Sequence, residues 1–140
     1  MKKVIYLIFS TLMLLNSCTE KLEQRVIYTH PDNSPATVEF YRPNDSTKQA
    51  VKIIRYYANG ERQEETNYKN GKKEGLSTWW YMNGKKMYEA NYKDDVYNGS
   101  FVQWYENGEK EYEAEYNFGK PSGTWKYYAL DGSLQKEQKF

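Results

Sequence analysis

Four glycines recur at a fixed step along the chain, and this period constrains the fold more than any other feature of the sequence. Each glycine lies twenty-four positions after the previous one and follows an asparagine or an aspartate. Three further columns of residues share the step, and four columns in one register predict a repeat architecture in which each copy is one supersecondary unit. The columns are Gly60, Gly84, Gly108 and Gly132; Tyr56, Trp80, Trp104 and Tyr128; Glu65, Glu89, Glu113 and Glu137; and Tyr68, Tyr92, Tyr116 and Phe140.

Each repeat is predicted to be a β-hairpin. Asn-Gly or Asp-Gly between alternating runs favours a two-residue type I′ turn, because both central residues of that turn take positive φ. Residues 53–58 should pair with 61–69, and residues 124–130 with 133–140. Short Gly-containing loops, 69–75 and 118–123, join successive hairpins. The sequence therefore predicts an all-β fold, an elongated antiparallel meander of hairpins.

The predicted turn assigns residues to the two faces of the sheet. A two-residue turn at Asn83-Gly84 places Trp80 opposite Met87, and opposed residues share a face. One face then collects most of the aromatic residues, and packing is its expected role; Leu134 is assigned to it. The other face carries the column of four rings, which we name the stripe, beside the glutamate column. The stripe face is made of Tyr56, Trp80, Trp104 and Tyr128, with Glu89 and Glu113 as flanking acceptors.

The N-terminal segment, from Met1 to Cys18, predicts export and lipidation. A short basic start precedes an apolar run over residues 4–15, which is too short to span a bilayer and is typical of a secretory signal peptide. Leu15-Asn16-Ser17-Cys18 resembles the bacterial lipobox, so Cys18 is the expected lipidation site. Thr19 favours sorting to the outer membrane. The predicted organisation is a signal peptide at 1–17, a tether and degenerate cap at 18–50, and the repeat domain at 51–140.

Composition narrows the chemistry. Removing Lys2 and Lys3 with the signal peptide leaves 18 basic and 19 acidic residues, so a nucleic-acid partner is not expected. Cys18 is the single cysteine and His30 the single histidine, the latter in a predicted solvated turn, so we expect no metal site and no cofactor. The glutamates recur once per hairpin, which is more typical of a structural ladder than of a catalytic pair. We therefore expect a protein that is not an enzyme.

A family resemblance follows from the repeat itself. The stretch from Gly99 to Gly108, Gly-Ser-Phe-Val-Gln-Trp-Tyr-Glu-Asn-Gly, resembles the MORN-type repeat in its bacterial variant form, and the resemblance covers residues 51–140. It implies an elongated antiparallel sheet used for binding or scaffolding. Many bacterial members of that family are labelled YwqK-family antitoxins of toxin–antitoxin systems.

Three functions are compatible with these observations. The first is a protein-interaction module or scaffold, anchored to the membrane at the cell envelope. The second is a glycan or peptidoglycan binder that stacks sugar rings on the stripe, and the third is an antitoxin or immunity-like protein. An exposed stripe favours the second, whereas a stripe buried under residues 19–50 or under a partner copy would be structural.

Overall fold

A computed structural model of the chain describes residues 2–7 and 21–140, which form a single sheet. Eleven strands follow one another across this sheet in chain order, and each pairs antiparallel with its neighbours. The predicted all-β meander is thus confirmed. The strands are β1 (Lys2–Leu7), β2 (Glu23–Thr29), β3 (Pro35–Tyr41), β4 (Lys52–Tyr56), β5 (Arg62–Lys69), β6 (Lys72–Trp80), β7 (Lys86–Lys93), β8 (Val96–Trp104), β9 (Lys110–Asn117), β10 (Lys120–Tyr128) and β11 (Leu134–Lys139).

The two ends of the chain lie at opposite edges of the sheet. β1 pairs with β2 at the N-terminal edge, and β11 forms the C-terminal edge beside β10. The predicted lipobox with Cys18 lies outside the described residues. Within the described ranges, no helix has the length and apolar character needed to cross a membrane.

The turns within the hairpins differ from the predicted type. In residues 81–85, the Gly84 N–H donates to the Tyr81 carbonyl at 3.0 Å, and the Tyr81 N–H donates to the Lys85 carbonyl at 2.8 Å. Of Asn83 and Gly84, only Gly84 has a positive φ, of 80°. The connection is therefore a three-residue loop, a type I turn followed by one left-handed residue. The prediction of a type I′ turn at Asn83-Gly84 was wrong.

Two-residue turns with positive φ at both positions occur at the other end of the sheet. They connect β5 to β6, β7 to β8, and β9 to β10, where the longer loops 69–75 and 118–123 were expected. Gly75, Gly99 and Gly123 lie inside strands, where their positive φ accompanies shifts in register. The residue pairs in these turns are Asn70 (φ 52°) with Gly71 (77°), Asp94 (48°) with Asp95 (70°), and Phe118 (45°) with Gly119 (80°).

A β-bulge compensates for the extra loop residue in each hairpin. Trp80 lies opposite Lys86 instead of Met87, and the register then shifts so that Trp79 lies opposite Tyr88. Beyond the bulge, each residue faces the partner that the two-residue turn predicted, and so most of the face assignment holds. Leu134 is an exception. It lies opposite Tyr128 and is 52% exposed, so it belongs to the stripe face and not to the aromatic one.

Toward the N-terminus, Val26, Val38 and Ile54 are buried in register on the face that carries the stripe. The part of the core that is built of rings lies on the other face of the sheet, which we name the aromatic face. Ala90, Phe101 and Ala114 are buried at its centre. Phe101 stacks between Tyr88 at 5.6 Å and Tyr112 at 5.3 Å, measured between ring centroids. Small residues between large rings let the rings close over the backbone, which is how one layer can bury a core. Further rings packed on this cluster are Tyr92, Tyr97, Tyr116 and Trp125.

The same face is polar toward the N-terminus. The Glu64 carboxylate is 1% exposed and is paired with the Arg55 guanidinium. The Thr66 hydroxyl donates to Glu64 at 2.7 Å and lies 2.6 Å from the Ser77 hydroxyl, which is also buried. A buried charge is tolerated when it is paired and hydrogen-bonded, and Glu64 has both kinds of partner. On this face the core therefore changes from a polar network at β4–β6 to stacked rings at β7–β10.

The N-terminal cap is a complete hairpin. The sequence predicted a tether and a degenerate cap at residues 18–50, whereas the structure pairs β2 with β3 from Glu23 to Tyr41. The turn between them repeats the pattern of the later hairpins, because the Asn33 N–H donates to the His30 carbonyl and the His30 N–H donates to the Ser34 carbonyl. Asn33 has a φ of 67° and takes the place of the turn glycine.

Candidate functional site

The four stripe residues occupy the same position in successive hairpins. Tyr56, Trp80, Trp104 and Tyr128 are the last residues of β4, β6, β8 and β10. Strands lie about 4.8 Å apart, so a ring on every second strand gives a step of about 9.6 Å. All four side chains are half-buried, which is intermediate between the exposed and the covered stripe that the sequence left open.

The backbone of each stripe residue is held by a side chain from the hairpin before it. The Tyr57 hydroxyl donates to the Trp80 carbonyl at 2.8 Å, and the Tyr81 hydroxyl donates to the Trp104 carbonyl at 2.8 Å. The Tyr105 hydroxyl donates to the Tyr128 carbonyl at 2.9 Å. Because each bond links two repeats, the backbone that carries each ring is held by the preceding hairpin as well as by its own.

The turn asparagines make a second link between repeats. The Asn59 amide donates to the Met82 carbonyl at 3.0 Å, and the Asn107 amide donates to the Leu130 carbonyl at 2.7 Å. The same asparagine also accepts from its own turn, as the Asn107 Oδ1 accepts the Glu109 N–H at 2.9 Å. The turn ends of neighbouring hairpins are thereby fixed relative to one another, which gives the stripe a regular spacing.

Basic residues lie between the stripe rings. Arg62, Lys86 and Lys110 are the cross-strand partners of Tyr56, Trp80 and Trp104. They therefore occupy the strands between successive rings, and the Lys86 ammonium lies 5.5 Å from the centroid of the Trp104 ring. These cations recur at the same step as the rings, but the sequence pattern alone did not predict that they belong to the stripe face.

The glutamates of the stripe face form a ladder of ion pairs. Glu89 is 2.6 Å from the Lys86 ammonium, and Glu113 pairs with Lys110 in the same way one repeat later. The Tyr128 hydroxyl donates to Glu113 at 2.7 Å. Hydrogen bonds from Lys110 and then Tyr128 hold the pKa of Glu113 below its ordinary value. Both carboxylates are paired within the sheet. The lowered pKa of Glu113 is the opposite of the shift that a general acid needs.

A groove runs between the first two stripe rings. It has a volume of about 430 Å³ and is lined by Tyr56, Gly60, Glu61, Arg62, Trp80 and Gly84. Two aromatic walls and one guanidinium therefore meet in an open cleft. Such a cleft suits the edge of an extended ligand better than a small molecule, since ligand pockets usually enclose most of their guest.

The aromatic face carries a second groove, at the opposite end of the strands. Its volume is about 450 Å³, and Lys73, Tyr92, Asp95, Val96, Tyr97 and Gly119 line it. The Lys73 ammonium lies 4.9 Å from the centroid of the Tyr92 ring. Half-buried rings continue along this face to Trp125 and Tyr127. This face thus carries more half-buried rings than the stripe does.

The single histidine lies at the β2–β3 turn, but it is not solvated, whereas the sequence predicted a solvated turn. His30 is half-buried, and its Nε2 lies 3.0 Å from the Tyr56 carbonyl oxygen. Among the described residues, no group of three or more histidine, cysteine, aspartate or glutamate side chains could hold a metal ion. Its place in the fold gives His30 a structural role, which is to join the cap to the first stripe residue.

The geometry defines a class of protein, an open single-layer sheet of β-hairpin repeats with aromatic residues in register on both faces. Three segments, residues 52–70, 73–94 and 97–117, match the family described as MORN repeat variant. They correspond to the hairpins β4–β5, β6–β7 and β8–β9. The hairpins β2–β3 and β10–β11 repeat the turn geometry outside the matched segments. A comparison with curated proteins found no match.

Proposed function

We propose that this chain is a non-catalytic, membrane-anchored repeat protein that acts as a protein-interaction module or scaffold at the cell envelope. One observation carries the proposal. Within residues 2–7 and 21–140, the structure is a single sheet, so in that part of the chain no second layer packs over the half-buried rings of the aromatic face. Aromatic side chains provide large contact areas at low entropic cost, and they are enriched where proteins bind one another.

The anchor follows from the N-terminal motif. We infer that residues 1–17 are removed and that Cys18 is acylated. Glu23, where β2 begins, lies only five positions after Cys18, so the fully extended chain between them spans at most about 18 Å. The N-terminal end of the sheet would therefore be held near the membrane, with the repeats extending away from it. Removal of residues 1–17 would also take away β1 and leave β2 as an edge strand.

Mass spectrometry of the membrane fraction tests the anchor. The acylated protein should begin at Cys18 and carry the added mass of the lipid, and the Cys18→Ala variant should remain unprocessed or be released. Ser17→Ala is a suitable control, because it retains a small residue before the cysteine. An intact protein with an unmodified Cys18 would contradict the anchor without bearing on the binding faces.

Site-directed photocrosslinking tests the interaction face. Tyr127 is half-buried on the aromatic face, and its ring lies 6.0 Å from that of Tyr112. A photoreactive phenylalanine at position 127 should capture a discrete protein in the membrane fraction. The same group at exposed Asp131, in the last turn, serves as the control. Equal capture from both positions, or none from position 127, would contradict the proposal.

A second candidate function, glycan binding, is favoured by the stripe. Half-buried rings at a step of about 9.6 Å could each stack against a sugar, and the cations between them could bind polar substituents. The two functions use opposite faces of the sheet, so they can be tested independently.

A further inference from the structure

We propose that the stripe face binds an acidic polysaccharide in which a charged sugar alternates with a neutral one. This proposal rests on the glycan-binding candidate above and names its substrate class. It is carried by the alternation of two chemistries along one row of the sheet, with an aromatic ring on one strand and a basic side chain on the next.

The strand register creates this alternation. Tyr56 is paired with Arg62, Trp80 with Lys86, and Trp104 with Lys110, and Tyr128 completes the row. Each member of the row lies on the strand after the previous one, so ring and cation alternate at about 4.8 Å across the strands. Within a hairpin the two are direct partners, and between hairpins the register sets the cation one residue along its strand from the line of the next ring. That step is close to the length of one sugar in an extended chain. A ring that stacks on a neutral sugar would therefore place the next sugar over a cation.

The cations lie outermost in the ion pairs of the stripe face. The side chains of Arg62, Lys86 and Lys110 are 54%, 48% and 47% exposed. Their partners Glu65, Glu89 and Glu113 are only 21%, 24% and 32% exposed. An approaching carboxylate therefore meets N–H donors before it meets like charge. The carboxylates beneath hold the cations in place between the rings.

The charge density of the row favours a sparsely charged polymer. Each of the three cations already has a glutamate partner, so the row carries little net positive charge. Nucleic acids bind mainly through the release of counterions by unpaired basic residues, and they bring a charge with every nucleotide. A chain with one carboxylate for every two sugars matches the spacing of one cation for every two strands.

The row has a defined length. At its C-terminal end, Tyr128 is paired with Leu134 rather than a fourth cation. From Tyr56 to Tyr128 there are six strand steps, which correspond to about 29 Å. With one sugar for each strand, the row would accommodate about seven sugars. An octasaccharide is therefore the shortest even-numbered ligand that fills it.

Titration calorimetry and tryptophan fluorescence on the full-length protein in detergent test the proposal. The probe is a hyaluronan octasaccharide, which alternates a uronic acid with a neutral amino sugar. The comparison ligands are a chitin hexasaccharide, which is neutral; an oligogalacturonate, which is charged at every sugar; and an oligothymidylate. We expect the hyaluronan probe to bind at least about tenfold more tightly than each of the other three.

Matched variants test the contribution of the cations to binding. Replacing Lys86 and Lys110 with Gln should weaken hyaluronan binding by about tenfold or more, and replacing both with Arg should retain it. The control replaces Lys73 and Lys136 with Gln, since these lysines lie over the rings of Tyr92 and Tyr127 on the aromatic face. That control has the same change in charge, and its hyaluronan binding should be unaffected.

Each outcome has a distinct meaning. Equal binding of the hyaluronan and chitin probes would overturn the acidic-ligand proposal but leave glycan binding in place. Tighter binding of the oligothymidylate would overturn it in favour of nucleic acid, and tighter binding of oligogalacturonate would overturn the alternation. If no saccharide binds while position 127 still crosslinks to a protein, this proposal fails and the protein-interaction module stands.

Discussion

The Nε2 of His30 donates to the carbonyl oxygen of Tyr56 at 3.0 Å, and this bond makes the N-terminal hairpin the first member of the repeat series. In the later hairpins a tyrosine hydroxyl makes the equivalent bond to the next stripe residue, as Tyr57 does to Trp80 at 2.8 Å. Terminal repeats in such arrays differ in sequence because they cap the stack. Here the side chain differs, but the hydrogen bond between repeats is retained.

The cap should depend on this bond. His30→Phe retains a ring of similar size but removes the donor, so the Tyr56 carbonyl loses its partner. We expect the free energy of unfolding to fall by about 1 kcal/mol. His30→Tyr introduces the residue that the later repeats use, and it should retain most of the stability. Urea denaturation of the two variants checks this, and equal stability of His30→Phe and the native chain would contradict it.

The sequence predicted the architecture well because the repeat fixes the hairpins. The repeat period placed β4 to β11, and the alternation of side chains placed the stripe on one face. The type of turn could not be derived, because Asn-Gly suits both a type I′ turn and a type I turn followed by a left-handed glycine. The long-range contacts of Asn83 distinguish the two, since its amide donates to the Glu106 carbonyl of the next repeat.

The residues of the stripe face were only partly predictable from the sequence. The four rings were recognisable as a column, whereas Arg62, Lys86 and Lys110 were hidden because their column ends in Leu134. Charged residues near turns usually face solvent, so position alone did not indicate a role. The bulge at Met87 then brings Lys86 opposite Trp80, which no two-residue turn would do.

The corrected turn makes a prediction that separates Asn83 from Gly84. Gly84 has a φ of 80°, so Gly84→Val should lower the free energy of unfolding by roughly 1 kcal/mol or more. Asn83 is not in the left-handed region, so Asn83→Ala should lose only its side-chain hydrogen bonds. Asn83→Gly, which would help a type I′ turn, should not stabilise the fold. Thermal melts of the three variants check the assignment, and a gain in stability from Asn83→Gly would argue for the type I′ turn.

Phe118 is a site where stability can be gained. Its φ is 45°, and its side chain is 65% exposed, so its ring makes few contacts to offset the left-handed backbone. The equivalent residue two repeats earlier is Asn70, with a φ of 52°. Phe118→Asn should stabilise the fold by up to about 1 kcal/mol, since asparagine tolerates this conformation. Asn70→Phe is the reciprocal control and should destabilise it. A loss of stability in both variants would show that the Phe118 ring has a packing role.

The half-buried tyrosines of the aromatic face should make the fold sensitive to alkali. Burial raises the pKa of Tyr112 to about 12, and it also raises the pKa of Tyr88. A phenol with a higher pKa in the folded chain than in the unfolded chain stabilises the fold while it is protonated. That contribution is complete below the ordinary pKa of about 10, and it is lost as the pH rises toward about 12.

Melting temperatures measured from about pH 8 to about pH 12 test this dependence. Tyr112→Phe cannot ionise, so its melting temperature should fall less steeply above about pH 10 than that of the native chain. Tyr28→Phe is the control, because Tyr28 is 40% exposed on β2. Parallel curves for the native chain and Tyr112→Phe would contradict a role of this phenol in alkaline unfolding.

The rings of the stripe should contribute less to stability than the rings of the aromatic face. Phe101 is 6% exposed at the centre of the aromatic face, so Phe101→Ala should cost about 3–5 kcal/mol through lost burial and the cavity left behind. Trp80 and Trp104 are half-buried on the opposite face, where part of each ring already contacts water. Replacing both with Ala should lower the free energy of unfolding by less per residue than Phe101→Ala does, and the sheet should remain folded.

The same double variant should lose ligand binding, because the central rings of the row are gone. Circular dichroism melts beside the hyaluronan titration separate the two effects. A double variant as unstable as Phe101→Ala would make the stripe a second structural core and remove the basis for a binding site on that face.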